Sequence, residues 1–265
     1  STLWQHRIIW LSIVGLSIFW GISQVLLAAF PTHAKLNLGI DNTVIIQGLL
    51  ACSGIGIVIG SIVAGKTSSR HIETGLIPLG ALGVVIALLL IPQLQSVTAL
   101  AATFVLLGLC GGLFIVPLNA LIQFHAPDSY LGTVLAGNNW LQNLVMFGFL
   151  CLALTFAYAG LNSLGLFQLL TLTAIVGAAY TIFRLPQSLV RIVVSCLVAG
   201  RYRIEVLGFK NLPSRGAVLM LGNHISWLDW AMVQIACPRP VRFVMHRDIY
   251  NRWYLKWLMD LFGVI

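Results

Sequence analysis

A histidine followed five residues later by an aspartate, in His224-Ile225-Ser226-Trp227-Leu228-Asp229, is the part of this sequence best suited to chemistry. Imidazole titrates near neutrality, and a carboxylate beside it fixes the tautomer and supports the charged form. The pair can therefore serve as a general base and its orienting group. It lies between a continuous apolar run, Ala217 to Leu221, and a stretch that starts like a helix at Ser226. Five residues of ideal helix turn through ~500°, which leaves the two side chains about 140° apart, so they cannot meet inside one regular helix. The workable arrangement puts His224 on the turn entering the helix and Asp229 in the first helical turn, pointing back. A plainer reading stands beside it: Ser226 and Asp229 have capping-box spacing, and His224 is only a polar turn residue.

The elements that must position this pair follow a chain with a very different composition. The protein is 59% hydrophobic and 8% charged, with a mean hydropathy of +0.96; a soluble domain carries roughly 25% charged residues. Seven Asp, Glu, Lys or Arg residues precede Arg184 and fifteen lie from Arg184 onward, with none between Asp128 and Arg184. A water-soluble fold of that length needs a charged surface, whereas a lipid-facing one does not. The net charge of +8 does not indicate nucleic acid, because eleven of the fifteen basic residues sit in the tail, where anionic lipid head groups are the better partner. Cys52, Cys110 and Cys151 fall in apolar runs, and Cys196 and Cys237 have no metal-ligand spacing, so neither a disulfide framework nor a metal site is expected. The first residue is Ser and no cleavable signal precedes it, which reads as a piece of a longer protein.

Apolar runs at 8–30, 43–64, 74–92, 98–118, 138–159 and 164–183 each have about the twenty residues a helix needs to cross hydrocarbon. Pro92 to Ser96 and Gly160 to Ser163 read as tight turns between spans. Arg7, Lys66, Arg70, Arg184 and Arg191 flank one side and only Lys35 the other, a bias that places both ends of the six-span block, and hence the tail, in the cytoplasm. Gly56 with Gly60, and Gly108 with Gly112, are four apart on a helical face, which lets neighbouring backbones approach closely. Pro117, Asn119 and Gln123 suggest a kinked, polar end to the fourth span. The fifth opens with Asn138, Asn139, Gln142 and Asn143 on adjacent faces. Two readings stay open for them: hydrogen bonds between helices, or an uncharged polar wall along which a lipid head group moves. His33, His71 and His125 read as solvated loop residues without partners.

The pattern changes after Arg184. Pro186 suits a first helical turn, and the apolar stretch Ser188 to Val198 is too short to span a bilayer, so residues 185–200 read as an interfacial helix or linker. Strands are expected at Tyr202–Leu207, Ala217–Leu221 and Val241–Met245, with a turn at Leu212–Gly216 and helices at Ser226–Ala236 and Asn251–Phe262. Alternating strands and helices imply the start of an α/β domain over 201–265. His246 to Asp248 read as a turn with a salt bridge. In the last helix Tyr250, Trp253, Tyr254, Trp257, Leu258 and Leu261 form a stripe that reads first as core and second as a membrane-interface face.

Two stretches also resemble known families. Val116-Pro117-Leu118-Asn119 to Gln123, then Leu131-Gly132-Thr133 to Gly137-Asn138-Asn139-Trp140-Leu141-Gln142-Asn143, look like lysophospholipid transporters of the major facilitator superfamily, with similarity over roughly 1–184. The loop from Gly60 to Arg70 is similar to the superfamily's basic loop but has Ala64 where that loop carries Asp. Gly222-Asn223-His224-Ile225-Ser226-Trp227-Leu228-Asp229 resembles the first block of the 1-acylglycerol-3-phosphate acyltransferases. Together the two resemble bacterial fusions of a transporter with a 2-acylglycerophosphoethanolamine acyltransferase.

The resemblance implies a mostly α chain, a six-helix transmembrane bundle over 1–184 followed by the start of a cytoplasmic acyltransferase domain. It implies the bacterial inner membrane, lysophospholipid as substrate, and reacylation with His224 as general base supported by Asp229. Asn119, Asn138, Asn139, Gln142 and Asn143 would form the head-group path. No cofactor is implied; the acyl donor is a co-substrate, on acyl carrier protein or coenzyme A. The missing partners are an N-terminal transporter half and the remainder of the acyltransferase, whose later blocks bind the glycerol phosphate. Two alternatives are a pure transporter with a structural tail and an acyltransferase merely tethered by its helices.

Overall fold

The computed structural model describes every residue except 1–6, 70, 200, 203–204, 206, 209–210, 214–215, 227 and 238–240. Contacts divide the chain into two compact units, Ser1–Leu185 and Pro186–Ile265.

Among its described residues the first unit contains six helices long and apolar enough to cross a membrane. They are α1 (Arg7–Leu38), α2 (Thr43–Thr67), α3 (Leu76–Leu90), α4 (Val97–His125), α5 (Leu131–Tyr158) and α6 (Ser163–Arg184). Short 3-10 turns, Ile91–Gln93 and Asp128–Tyr130, lead into the α3–α4 loop and into α5. Several helices outrun the apolar segments that announce them, because a helix satisfies its own backbone and continues wherever caps and packing allow. Asn42 caps α2 by accepting from the Val44 and Ile45 amides at 2.9 and 3.4 Å, and Asn162 caps α6 by accepting from Gly165 at 2.9 Å. Gly160, at φ +94°, makes the turn between α5 and α6.

The tightest packing joins α2 to α4. A Cβ built on Gly60 would lie 2.1 Å from the Leu109 carbonyl oxygen, and one on Gly108 would lie 1.9 Å from that of Ser53. Gly56 and Gly112 face the opposite backbone in the same way. The two glycine pairs thus interleave along one seam, as their spacing predicts. α3 packs on the other flank of α4, α1 contacts α4, α5 and α6, and α6 also packs on α3. The core between them includes Phe30 and Phe104 in edge-to-face contact at 4.7 Å, together with Leu16, Leu88 and Leu100. α5 packs mainly on α1, and only Val134 and Asn138 of its residues are buried.

Three histidines depart from the sequence expectation. α1 continues through Pro31, tolerated in a spanning helix where neighbours re-satisfy the freed backbone. His33 is consequently buried rather than in a loop, stacked edge-on to Phe167 at 5.0 Å with Nδ1 3.3 Å from Ser163 Oγ. His71 does lie in a loop but pairs with Glu73 at 3.0 Å, and His125 is the last residue of α4, bonded to the Leu121 carbonyl at 3.0 Å.

The second unit holds α7 (Pro186–Ala199), α8 (Asp229–Ala236), α9 (Arg247–Tyr250) and α10 (Trp253–Leu261). Its small core is Ile192, Ala231, Cys237, Met259 and Phe262, with Trp230 and Phe262 rings 5.9 Å apart. The three expected strands are not strands among the described residues, and the segment 202–207 and turn 212–216 lie partly outside them. A strand needs a partner backbone, and among the described residues Ala217–Leu221 has none: Leu219 and Leu221 are 83% and 88% exposed. One nascent pairing exists. The Ile265 amide donates to Phe243 and the Met245 amide to Ile265, at 2.8 and 2.9 Å, the pattern of a parallel pair with α9 and α10 as its crossover.

The glycine seam predicts its own test. Gly108→Leu should lower the melting temperature of the purified protein sharply, since overpacking against backbone costs ~1–3 kcal/mol or more. Gly54→Ala, whose new Cβ meets nothing within 4 Å, should leave it unchanged or slightly higher.

Candidate functional site

α8 begins at Asp229, three residues after the expected helix range opens at Ser226, and that delay builds the site. Residues 217–226 run irregularly into it, and a turn closes where the Asp229 amide donates to the Ser226 carbonyl at 3.0 Å. The Asp229 side chain folds back over this turn. Its Oδ2 accepts from the Ser226 amide at 2.8 Å and from the Ile225 amide at 2.7 Å, and lies 3.0 Å from His224 Nδ1. Ser226 Oγ accepts from the Leu228 amide at 3.2 Å. Side-chain bonds from both Ser226 and Asp229 therefore close the turn ahead of α8, with the imidazole added as a third donor on the carboxylate.

The electrostatics follow from that convergence. Hydrogen bonds from the Ser226 and Ile225 amides, and less strongly from His224, hold the Asp229 carboxyl below the usual carboxylate range, against a smaller opposing effect of desolvation. It is ionised at neutral pH, and a carboxylate facing Nδ1 selects the tautomer with the proton on Nδ1. The lone pair of Nε2 is then free. His224 is 75% exposed, and Nε2 has no hydrogen-bond partner among the described residues. The arrangement can accept a proton from a group brought to its outer face. Among the described residues no cluster of His, Cys, Asp or Glu could hold a metal ion.

The remaining site residues lie on α4 and α5. Asn119 Nδ2 donates to the Ile115 carbonyl at 3.1 Å. Asn138 is buried and accepts from Gln142 Nε2 at 2.7 Å. Asn139 and Asn143 are exposed one turn apart, with Asn143 Nδ2 donating to the Asn139 carbonyl at 2.7 Å. Each of these bonds stays within one helix. α5 thus presents one polar pair inward and one outward, beside Trp140 at 68% exposure.

The aromatic stripe of α10 departs from its first reading as core. Trp253 and Trp257 are 86% and 61% exposed, while Leu255, Leu258, Met259 and Phe262 turn inward. The segment carries two overlapping stripes of helical period, and the aliphatic one is buried. Tyr250 donates to Asp260, and His246 caps α9 by accepting from the Asp248 amide at 3.4 Å, with 3.7 Å between Nδ1 and the Asp248 carboxylate.

Comparison with known proteins adds two kinds of similarity. A family model described as Major Facilitator Superfamily matches residues 1–150, and one described as Acyltransferase matches residues 203–265. The chain is 33% identical over 146 residues to a protein named lysophospholipid transporter LplT of Klebsiella pneumoniae subsp. pneumoniae, covering 55% of this chain and 36% of that protein. It is 33% identical over 157 residues to a protein of the same name from Escherichia coli O157:H7, covering 58% and 39%, and 34% identical to that of Escherichia fergusonii over the same shares. The chain therefore spans less than two-fifths of the length of these relatives. No solved structure matches it.

The Asp229 turn has a pH signature. A depressed carboxyl stabilises the folded turn above the unfolded value near ~4, and the contribution is lost as pH falls through the lower folded value. Protection of the Ile225 and Ser226 amides from hydrogen exchange should hold from neutrality to about pH 4 and drop below it. In Asp229→Asn the protection should be weak and flat across that range.

Proposed function

Because the chain belongs to the major facilitator superfamily and continues into an acyltransferase-family segment, we propose that its full-length parent carries lysophospholipid across the bacterial inner membrane and reacylates it. The observation that carries the enzymatic half is the 3.0 Å contact of His224 Nδ1 with Asp229 Oδ2, which leaves Nε2 free on an exposed ring. Nε2 takes the proton of the free glycerol hydroxyl as its oxygen attacks the carbonyl carbon of an acyl thioester. The tetrahedral oxyanion collapses, the C–S bond breaks, and the thiolate leaves with the proton returned from the imidazolium. Asp229 holds the ring and supports its charge during the cycle. The thioester, on acyl carrier protein or coenzyme A, is a co-substrate, and later segments of the acyltransferase would bind the glycerol phosphate.

The transport half rests on the six apolar helices and on the relatives named lysophospholipid transporter. In this reading both ends of the bundle face the cytoplasm, as the loop cations suggest, and the outward pair Asn139 and Asn143 forms the head-group path with Asn119, Asn138 and Gln142 behind it. A second reading has a specific observation in its favour. The two backbone bonds to Asp229 are shorter than its bond to His224, as a purely structural cap would have them.

Variants of the full-length parent separate the readings. His224→Ala should slow acyl transfer to lysophosphatidylethanolamine by ~10²–10⁴-fold, and Asp229→Asn should be comparably impaired. Ser226→Ala, which removes one cap bond worth about 1 kcal/mol, should keep most activity. Equal losses at Ser226 and Asp229 would identify a structural cap, and full activity in His224→Ala would end the catalytic assignment.

Transport has a separate test. Asn139→Leu with Asn143→Leu should abolish lysophospholipid uptake into spheroplasts at unchanged protein level and melting temperature, since neither side chain bonds another helix. Loss of folding together with uptake would refute the head-group role.

A further inference from the structure

A cleft of about 230 Å³ runs inside the six-helix unit between α1, α3, α4 and α6. On α1 its lining extends from Ile8 to Ile22, a rise of about 21 Å. α6 runs the opposite way, from Thr173 deep in the cleft to Arg184 at the end where α1 starts. The inner part is walled by Phe19, Ile22, Val84, Phe114 and Leu118, all buried. The outer end is exposed, at Ile8, Tyr180 and Arg184. The space is therefore long and apolar, with a buried inner wall and an exposed outer end.

Among the described residues, Arg184 is the only one lining the cleft with a formal charge. Its guanidinium lies 5.7 Å from the centre of the Tyr180 ring, and no carboxylate among the described residues pairs with it. A cation held at the mouth of an apolar slot, with its donors unspent on any anion, matches an anionic group attached to a hydrocarbon chain. A space of this volume with one cation at its mouth suits one chain and one head.

We infer that the cleft binds the acyl chain of a single-chain phospholipid, with Arg184 on its phosphate. The inference rests on the lysophospholipid reading above and deepens it, by adding a chain-binding site within this six-helix unit, separate from the polar face of α5. Close packing of the chain against the walls of the cleft supplies the contact, as it does between helices in lipid, and the Arg184 contact sets which end stays at the mouth.

Gly177 makes the inference testable without unfolding the bundle. It lines the cleft, and a Cβ built on it meets nothing within 4 Å, so Gly177→Phe puts a ring into the slot rather than into backbone. The probe is lysophosphatidylethanolamine with a sixteen-carbon chain bearing a diazirine near its terminal methyl, bound to the full-length parent in nanodiscs. Photolabel should fall on α1 and α6 peptides containing Phe19, Ile22 and Ala174. Gly177→Phe should weaken binding about tenfold at an unchanged or raised melting temperature. Arg184→Gln should weaken the phospholipid about tenfold and leave a monoacylglycerol of the same chain unaffected, with Arg184→Lys intermediate. Label confined to other helices, or native affinity in a folded Gly177→Phe protein, would overturn the site. Uptake assays separate the two readings: a labelled cleft in a protein that moves no lysophospholipid keeps the site and removes the transport role, whereas uptake without labelling does the reverse.

Discussion

Backbone-to-backbone contact between α2 and α4 is the constraint on which the six-helix unit depends. In lipid the hydrophobic effect gives helices little reason to associate, so close packing must supply the attraction. At Gly56, Gly60, Gly108 and Gly112 the missing side chains let one helix lie directly on the other's carbonyls. α4, so fixed, is the wall against which α3 and α1 pack, and the cleft along α1 and α6 has α4 as its floor through Phe114 and Leu118. α5, which leans mainly on α1, is free to keep polar side chains on an outward face.

The sequence was legible where a single physical rule governs. Hydrocarbon demands long uncharged helices, so six spans could be read from composition, and glycines four apart announce a close seam wherever a helix is certain. It was less legible where an outcome depends on a neighbour. The end of α1 could not be read from hydropathy, because Pro31 looks like a stop and only packing against Ser163 and Phe167 explains why His33 is inside. The expected strand at Ala217–Leu221 is not formed among the described residues for the same reason: an apolar run is a capacity for pairing, and pairing requires another backbone. In α10 both an aromatic and an aliphatic stripe had helical period, and nothing in the period says which one a core will take.

The candidate site was legible in its geometry more than in its details. A spacing of five excludes a shared helix, which leaves a turn with the aspartate folding back, and the structure has that form. What the spacing could not supply was the late start of α8 and the sharing of one carboxylate oxygen among two amides and an imidazole.

That sharing has a thermodynamic consequence. The oxygen that closes the turn ahead of α8 and the oxygen that orients the ring are the same atom, so the two equilibria are linked and the linkage is reciprocal. A ligand that fixes the imidazole also favours the closed turn, by as much as closing the turn favours the fixed imidazole. Asp229 is also the first residue of α8, so contacts that bury Ala231 and set the Trp230 ring against Phe262 hold the backbone from which that carboxylate reaches back to His224. The turn works as a small transducer, converting the packing of a helix into the readiness of a base.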